Sequence, residues 1–176
     1  MIEAFKDVKE VQMIVFTLGK EEYAVPITSV QEIIMPLTPT HMPKSPSWVE
    51  GIINLRGRII PIIDGKKKFM IETSQDTSAN EARIMVLDVE HEIIGLIVDA
   101  VSEVVHLKTE DIEAAPAEMA DDAEFVLGIG KFRDKLLILV DPKKFLSIHE
   151  VTDLKKISKI AENVNQAKKD MESGIS

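Results

Sequence analysis

The chain has 176 residues, enough for one compact domain or for two very small domains that share a core. The absence of cysteine excludes disulfides, thiolate zinc sites and cysteine nucleophiles, and the 45% hydrophobic and 5% aromatic fractions indicate a mainly aliphatic core. The formal net charge of -9 argues against nucleic acid or an anionic membrane as the main partner, because both require a basic surface.

The N-terminal residues 1–12 mix charged and apolar side chains, so they lack the long apolar core of a signal peptide. No later stretch approaches the roughly 20 apolar residues that cross a bilayer, because charges interrupt each candidate. These features predict a cytoplasmic protein without direct membrane insertion. A methionine just before the first predicted strand and a predicted helix at the other end favour a stand-alone protein over a coupling domain cut from a larger kinase.

The first half of the chain contains a series of short predicted strands. Residues 15–18 and 23–27 are β-branched and aliphatic runs on either side of a polar turn at Gly19-Lys20. A brief helical or turn element is predicted next, over residues 28–32. The connection over residues 35–48 holds four prolines, and because proline fixes φ and removes a donor, this segment should be extended and stiff.

Two further strands are predicted on either side of a turn at Arg56-Gly57. Pro61 lies in the second strand, where its missing N–H restricts it to an edge or a bulge. Two interpretations of the Asn-Leu-Arg-Gly sequence at this turn remain open. Either the hairpin needs glycine for a positive φ and the arginine is solvated, or the arginine contacts another protein through its five rigid donors.

The second half of the chain repeats the first. One ungapped match pairs "MIVFTLGKEEYAVPITSVQEII" with "IMVLDVEHEIIGLIVDAVSEVV" at an offset of 71 residues (84 − 13). The next match pairs "VEGIINLRGRIIPIIDGKK" with "VLGIGKFRDKLLILVDPKK" at an offset of 77 (126 − 49), so the later copy has 6 more residues (77 − 71) in its central connection. Two matches in the same order predict an internal duplication.

The second copy has the same predicted elements: strands over residues 85–89 and 93–98, a helical or turn element over residues 99–103, and a last hairpin at Arg133-Asp134. Many short strands with regular turns predict a small β-barrel for each copy. Each copy has only about sixty residues, near the lower limit for independent stability. The two copies should therefore share a hydrophobic seam with grooves at its margins, and grooves suit partner binding.

The tail changes period after Phe145. Apolar residues recur there at steps of three and four, which predicts an amphipathic helix that begins near a capping box of Ser147 and Glu150. This stripe is expected to pack on the barrels or on a second copy of itself, and a free partner-binding helix is the less favoured alternative. The stripe consists of Val151, Leu154, Ile157, Ala161, Val164 and Met171.

The sequence offers little for catalysis. The four histidines lack the spacing of a helical metal pair, and no G-x-S-x-G elbow or glycine-rich phosphate loop occurs, so neither a metal nor a cofactor is predicted. Asp64 and Asp141 end equivalent strands and could form a dyad like that of the aspartic proteases. The lysines that follow each aspartate favour turns with salt bridges instead, so a small aspartate-dependent hydrolase is the weaker hypothesis beside a binding protein.

Three stretches in order resemble the family of the bacterial chemotaxis coupling protein CheW, over about residues 12–146: "FTLGKEEYAVPITSVQEI", "VEGIINLRGRIIPIID" and "IGLIVDAVSEVV". The resemblance implies a mainly β fold of two intertwined, five-stranded SH3-like barrels with short helices, and no enzymatic activity. It implies two repeats, over about residues 12–69 and 83–146. Residues 147–176, which carry the predicted amphipathic α-helix, form an extension that the resemblance does not cover.

The resemblance also implies an adaptor in two-component signal transduction. Such a scaffold joins methyl-accepting chemoreceptors to the histidine kinase CheA by binding the kinase's regulatory domain, and it is recruited to membrane-associated receptor arrays. A kinase pathway other than flagellar motility is the alternative. The residues that the resemblance implies at partner-contact surfaces are Val30, Glu32, Ile33, Asn54, Arg56 and Gly57, with Val98 and Val101 lining a groove between the barrels.

Overall fold

The computed structural model describes residues 5–71, 79–116, 125–144 and 148–173. The last of these ranges is a single long helix, and most residues of the other three lie in short strands, as the alternation and β-branched runs predict. The elements in chain order are β1 (Glu10–Leu18), β2 (Glu21–Pro26), β3 (Val30–Ile34), β4 (Val49–Leu55), β5 (Arg58–Asp64), α1 (Gly65–Lys68), β6 (Arg83–Val89), β7 (Glu92–Val98), β8 (Ala100–Lys108), β9 (Ile112–Glu113), β10 (Val126–Phe132), β11 (Lys135–Val140) and α2 (Ile148–Ser173).

Each of the two sheets combines strands from both halves of the chain. One sheet has the order β8-β1-β2-β11-β10-β9, and the other has the order β3-β6-β7-β5-β4. The first hairpin of each half therefore pairs with the later strands of the other half. We call the six-stranded unit barrel 1 and the five-stranded unit barrel 2. This exchange confirms the predicted pair of intertwined barrels, although barrel 1 has six strands and not the predicted five, because the two-residue strand β9 pairs with β10.

The strand bounds follow both offsets of the sequence repeat. Strand β4 covers Val49–Leu55 and β10 covers Val126–Phe132, which are the same seven positions 77 residues apart (126 − 49). Strands β1, β2 and β3 correspond in the same way to β6, β7 and β8 at the offset of 71. Equivalent strands occupy equivalent places, because β3 is the edge strand beside β6 and β8 is the edge strand beside β1.

The helical or turn elements predicted at residues 28–32 and 99–103 are only partly correct. A 3-10 turn forms at Ile27–Ser29, but strands β3 and β8 take up most of both segments. Each of these strands pairs with a strand of the other half, as Val104 of β8 does with Ile14 of β1. Local sequence does not contain the distant partner that completes such a ladder, so the strands were missed.

Pro61 shows how the sheet accommodates a proline. Strand β5 lies between β7 and β4, so it is an interior strand. Its parallel ladder with β7 begins only at Ile62, opposite Gly95. The predicted placement at an edge or a bulge is therefore wrong, and the interior strand accommodates Pro61 because β5 has no pairing with β7 at the proline itself.

A shared hydrophobic core joins the barrels. Its largest cluster combines Phe16 and Leu18 of barrel 1 with Leu87 and Leu96 of barrel 2. Burial of each such side chain contributes about 1.5–3 kcal/mol relative to exposure, so exposing this cluster by separating the units would cost each of them stability. Four aromatic rings also stack in succession, with centroids 5.8, 6.1 and 4.7 Å apart: Phe16, Tyr23, Phe69 and Phe125.

Asp99 is the charged residue that the described part of the molecule buries, with 7% of its surface exposed. Its Oδ2 accepts the backbone N–H of Gly19 at 2.7 Å, and its Oδ1 lies 3.1 Å from Nζ of Lys66. Gly19 belongs to the β1–β2 turn of barrel 1, and Lys66 belongs to α1, which follows β5 of barrel 2. The carboxylate therefore ties the two barrels together, and it is stabilised where it is buried because both of its oxygens have partners.

Helix α2 confirms the predicted amphipathic tail and packs against β5. Leu154 is fully buried and Ile157 packs against the core, whereas Val164 and Met171 are 52% and 71% exposed. Only the first part of the predicted stripe therefore packs on barrel 2. The predicted cap at Ser147 and the side chain of Val151 lie outside the described residues.

Lys68 of α1 holds the start of α2 in place. Its Nζ forms an ion pair with Glu150 of α2 and lies 4.6 Å from the centroid of the Trp48 ring. These contacts combine charge attraction with a cation–π interaction at a half-buried position. Along the ranges that the structure describes, neither helix has the length and the apolar composition that a transmembrane span requires.

Candidate partner-binding surfaces

The β4–β5 hairpin presents the Asn-Leu-Arg-Gly sequence at one end of barrel 2. Arg56 and Gly57 form a two-residue turn between the paired residues Leu55 and Arg58, with φ angles of 53° and 85°. Positive φ at both positions is typical of a type I′ turn, whose twist matches that of the flanking strands. The Asn54 Oδ1 accepts the Gly57 N–H at 2.8 Å, which rigidifies the turn.

Arg56 reaches from this turn to strand β3. Its Nη1 donates to both carboxylate oxygens of Glu32, at 2.8 and 3.0 Å. Strands β3 and β4 are the two edges of the five-stranded sheet, so the ion pair bridges the open side of barrel 2. Because 72% of the arginine side chain is exposed, the pair contributes less than about 1 kcal/mol to stability. Its main effect is to position the two charged groups.

A groove lies between the edge strands of the two barrels. Ile33 of β3, which is 39% exposed, lines it together with Val101 of β8, and the groove has a volume of about 540 Å³. Arg83 lines the same groove, and its Nη1 donates to the carbonyl of Ala82 at 2.7 Å. The groove thus combines aliphatic side chains with one cation and one anion, since Glu81 also lines it.

The structure gathers most of the predicted contact residues at these two places. Asn54, Arg56 and Gly57 lie at the turn, with Glu32 beside them. Ile33 lies on the neighbouring strand edge. Val30 is half-buried and packs against the shared core from β3. The motifs around residues 30–33 and 54–57 are therefore adjacent in space, as partner contact would require.

The placement of Val98 in the groove needs correction. Its side chain is 1% exposed and belongs to the shared core. Alternate residues of a strand face the same side, so Val98 points inward with Leu96 of the same strand. Val101 lies after the bend at Asp99, and it is this change of direction that brings it to the groove.

Most residues of the groove were not singled out from the sequence, and Arg83 and Ser102 are examples. Arg83 lies in no quoted motif, Ser102 lies within "IGLIVDAVSEVV" but was given no role there, and each is in an ordinary strand. Ser102 Oγ donates to the carbonyl of Val15 at 3.4 Å, across the ladder between β8 and β1. Only the pairing of strands from different halves places these residues together, so no local signal could have identified them.

The β10–β11 hairpin is the equivalent turn of barrel 1. Arg133 and Asp134 take its two central positions, with φ angles of 45° and 60°. The guanidinium of Arg133 lies 4.8 Å from the centroid of the Phe132 ring. Among the described residues, Arg133 has no carboxylate within ion-pair distance.

The two aspartates of the hydrolase hypothesis act as caps. The Asp64 Oδ1 accepts the backbone N–H groups of Lys66 and Lys67, at 2.9 and 3.3 Å, at the start of α1. The Asp141 Oδ1 accepts the backbone N–H of Lys143 at 3.0 Å. These contacts satisfy donors that a helix or turn leaves free. The described residues hold no group of three or more acidic or histidine side chains placed to bind a metal ion.

Two pKa values respond to this environment. Burial, with a smaller contribution from the charge of Glu21, raises the pKa of Tyr23 above 10.0. The hydrogen bond from Lys67 to Glu50 raises the pKa of Lys67 above 10.5. Both groups keep their proton at neutral pH, so neither provides a base for catalysis.

Comparison with known proteins agrees with this geometry. A family model described as the CheW-like domain matches residues 12–150. The chemotaxis protein CheW of Klebsiella aerogenes is 37% identical over 150 residues, which cover 84% of this chain and 89% of the relative. The chemotaxis protein CheW of Helicobacter pylori is 33% identical over 135 residues, covering 77% of this chain and 81% of the relative.

A solved structure shows the same fold. The crystal structure of the scaffolding protein TtCheW from Thermoanaerobacter tengcongensis matches with a TM-score of 0.73 and 37% sequence identity. The match covers 80% of this chain and 94% of that chain. The family model and the relatives cover well over half of this sequence. The chain therefore belongs to the CheW family of chemotaxis coupling proteins, which are scaffolds and not enzymes.

Proposed function

We propose that this protein is a cytoplasmic adaptor that couples methyl-accepting chemoreceptors to the histidine kinase CheA. The observation that carries the proposal is the ion pair between Arg56 and Glu32. It joins two motifs, 24 residues apart in sequence, at an exposed edge of barrel 2. We call this patch, formed by Glu32, Asn54, Arg56 and Gly57, the turn surface, and we assign it to the kinase.

The turn surface suits recognition because its arginine is held before a partner arrives. One nitrogen of Arg56 contacts Glu32, and the remaining guanidinium donors are available, since 72% of the side chain is exposed. A fixed arginine loses less conformational freedom on binding than a free one. A patch of this kind needs to bury only about 1,000–1,600 Å² in total for a specific, reversible contact.

The groove between β3 and β8 is the second surface, and we assign it to the receptor. A segment bound between Ile33 and Val101 would touch an edge strand of each barrel. Glu32 of the turn surface and Ile33 of the groove are adjacent in β3, and successive residues of a strand face opposite sides. A displacement of β3 by the receptor would therefore move the carboxylate that positions Arg56. This shared strand is the physical element that could couple the two binding events.

The first test reverses the charge of the turn. Arg56→Asp should weaken binding of the CheA regulatory domain by about tenfold or more, because a central interface arginine is replaced by a like charge beside Glu32. Titration calorimetry measures the affinity. Arg133→Asp is the matched control in the equivalent turn of barrel 1, and it should change the affinity by less than about twofold. Unchanged binding by Arg56→Asp, with an unchanged circular dichroism spectrum, would remove the turn surface from the proposal.

A charge exchange separates a positioning role from direct contact. The double variant Glu32→Arg with Arg56→Glu can restore the ion pair in reverse. We expect the hairpin to be kept and kinase binding to stay weak, because the partner would meet the opposite sign of charge. Full recovery of binding would show that the pair only holds the turn in place.

The groove has its own test. Val101→Glu should reduce co-sedimentation of the protein with receptor-containing membranes and leave the affinity for the isolated kinase domain unchanged. The reason is that Val101 lines the groove and lies apart from the turn surface. Loss of kinase binding in this variant would mean that the two surfaces are not separate.

A further inference from the structure

We propose that two copies of this protein associate through the C-terminal part of α2, each copy placing this part of its helix in a groove beside the α2 of the other. The groove borders the turn surface at Asn54, which lines both, but the inference concerns self-association and does not depend on the adaptor function.

An apolar groove of about 440 Å³ runs between α2 and barrel 2. Ile160 and Val164 of α2 line one wall, and Leu37 in the connection before β4 lies across from them. These three are 55%, 52% and 47% exposed, so three of the ten large apolar side chains exposed in the described ranges meet here. Lys168 is the charged residue of the lining. The remaining apolar lining comes from Met42, Ile52, Ile53, Ile59 and Ala161.

Helix α2 carries a second stripe that the barrels do not cover. It consists of Ile160, Val164, Ala167 and Met171, at steps of four, three and four residues, and all four are exposed. These steps follow the d-a-d-a positions of a heptad, the spacing of a helix that packs along another helix. The stripe is distinct from the buried one that begins at Leu154. The exposed stripe is the face on which we place a second helix.

The exposed stripe is complementary to itself when two helices run antiparallel. Ile160 then lies opposite Met171 of the other copy, and Val164 lies opposite Ala167 of the other copy, so a large side chain faces a smaller or flexible one in each layer. In this register, the C-terminal end of the other copy's helix lies beside Ile160. Ile160 forms part of the groove wall, so the other helix lies in the groove. The groove of each copy thus receives the exposed stripe of the other, in a closed two-fold arrangement.

Charges permit this pairing. In the antiparallel register Lys168 flanks Ala161 of the other copy, and Asp170 flanks Asn163 of the other copy, so no like charges meet along the seam. The copies nevertheless repel each other at long range, because each has a formal net charge of -9. Salt screens this repulsion and leaves the apolar contact intact. The association should therefore strengthen between low and physiological ionic strength.

The interface is small. One helical face over residues 160–171 and one groove wall in each copy bury on the order of 1,000 Å² in total, at the lower end of specific interfaces. We expect a dissociation constant in the range of about 10–100 µM, so the dimer would form mainly where the protein is concentrated.

Sedimentation equilibrium of the full chain tests the proposal. Over about 5–500 µM, the wild type should pass from monomer to dimer. Val164→Glu should raise the dissociation constant at least about tenfold, since it places a charge in the apolar seam. Leu136→Glu is the matched control, because Leu136 is 65% exposed on β11 and lies outside the groove lining. It should leave the dimer unchanged.

Disulfide trapping tests the register, because the chain has no cysteine of its own. A mixture of Val164→Cys and Ala167→Cys chains should form a mixed disulfide faster than either variant does alone, since only opposing positions bring the Cα atoms within about 4.4–6.8 Å. Faster trapping of Val164→Cys with itself would indicate parallel helices and overturn the register.

Three outcomes would overturn the dimer. The first is a monomer at every concentration tested, and the second is a dimer that Val164→Glu does not weaken. The third is a variant Val164→Glu that loses receptor or kinase binding with no change in self-association, which would assign the groove to a different protein. Thermal melting of each variant checks that the fold is kept, as the exposure of Val164 predicts.

Discussion

The β4–β5 and β10–β11 hairpins occupy equivalent places in the two barrels, and both have two residues with positive φ at the crest. Their arginines nevertheless do different things. Arg56 extends to Glu32 on the opposite edge strand of its sheet, whereas Arg133 lies over the ring of Phe132. Leu55 stands where barrel 1 has Phe132, so in barrel 2 no aromatic face is available next to the arginine to hold it.

This comparison shows which part of the repeat is structural and which part is open to change. The paired strands and the backbone of the turn recur in both halves, because the apolar alternation and the hairpin geometry must agree for each barrel to close. Side chains at the crest have no such constraint. Two turns with one backbone can therefore present different chemistry, and a scaffold with two partners requires this difference.

The largest expected effect on stability is at another pair of equivalent positions, Asp99 and Thr28 (99 − 28 = 71). Asp99→Ala should lower the free energy of unfolding by about 3 kcal/mol, because it leaves the half-buried Lys66 ammonium and the Gly19 N–H without their partner. Urea titration followed by circular dichroism measures the loss.

Thr28→Ala is the control for this prediction. Thr28 is exposed, so its loss should change the free energy of unfolding by less than about 0.5 kcal/mol. If the two substitutions lowered the free energy of unfolding equally, this would contradict the view that Asp99, and not its counterpart Thr28, forms a stabilising buried contact.

A smaller effect is expected at the second position of each turn. Gly57→Ala should destabilise the protein by about 1 kcal/mol, because φ is 85° there and an added Cβ meets no atom within 4 Å, so only backbone strain is introduced. The converse change in barrel 1, Asp134→Gly, relieves a φ of 60° and should stabilise the protein by a few tenths of a kcal/mol. Thermal melting of both variants checks the signs, and the same sign for both would show that the turns are not equivalent.

The smallest effect concerns pH. Tyr23 in barrel 1 corresponds to Ile94 in barrel 2 (94 − 23 = 71), so only one barrel has an ionisable group at this core position. Burial first, and then the charge of Glu21, raise the pKa of Tyr23 in the folded protein. The protonated Tyr23 hydroxyl contributes to stability below pH 10.0, which is the ordinary pKa of tyrosine. This contribution is lost as the pH rises above 10.0 and through the raised pKa of Tyr23 in the folded protein.

The variant Tyr23→Phe tests this assignment by removing the ionisable hydroxyl and keeping the ring. Its melting temperature should fall less steeply than that of the wild type above about pH 10. Identical slopes for the two proteins would show that other groups, such as the lysines, cause the alkaline loss of stability.

Much of the fold could be predicted from the sequence because its signals are local. Alternating apolar residues predicted most strands, two-residue polar turns predicted the hairpins, and the steps of three and four after Phe145 predicted α2. The repeat added a further constraint, since one copy predicts the elements of the other. The resemblance that rests on "SVQEI" and "NLRG" identified residues at the turn surface.

The failures arose where the outcome depends on a distant partner. Residues 30–34 and 100–108 form strands because β6 and β1 pair with them, and those partners belong to the other half of the chain. Val98 lies in the core because the bend at Asp99 turns the following strand away from it. Val164 belongs to the predicted apolar stripe, yet it is exposed because barrel 2 covers only the first part of the helix.

The sequence by itself determined most of the duplicated strands, the positions of the turns and the helical tail, because these depend on residue spacing and backbone preference within a few residues. Only the tertiary structure decided which hairpin completes which barrel, that Glu32 meets Arg56 across the open side of barrel 2, and which part of α2 stays uncovered. These features depend on contacts between residues far apart in the chain, whose free energies local spacing does not encode.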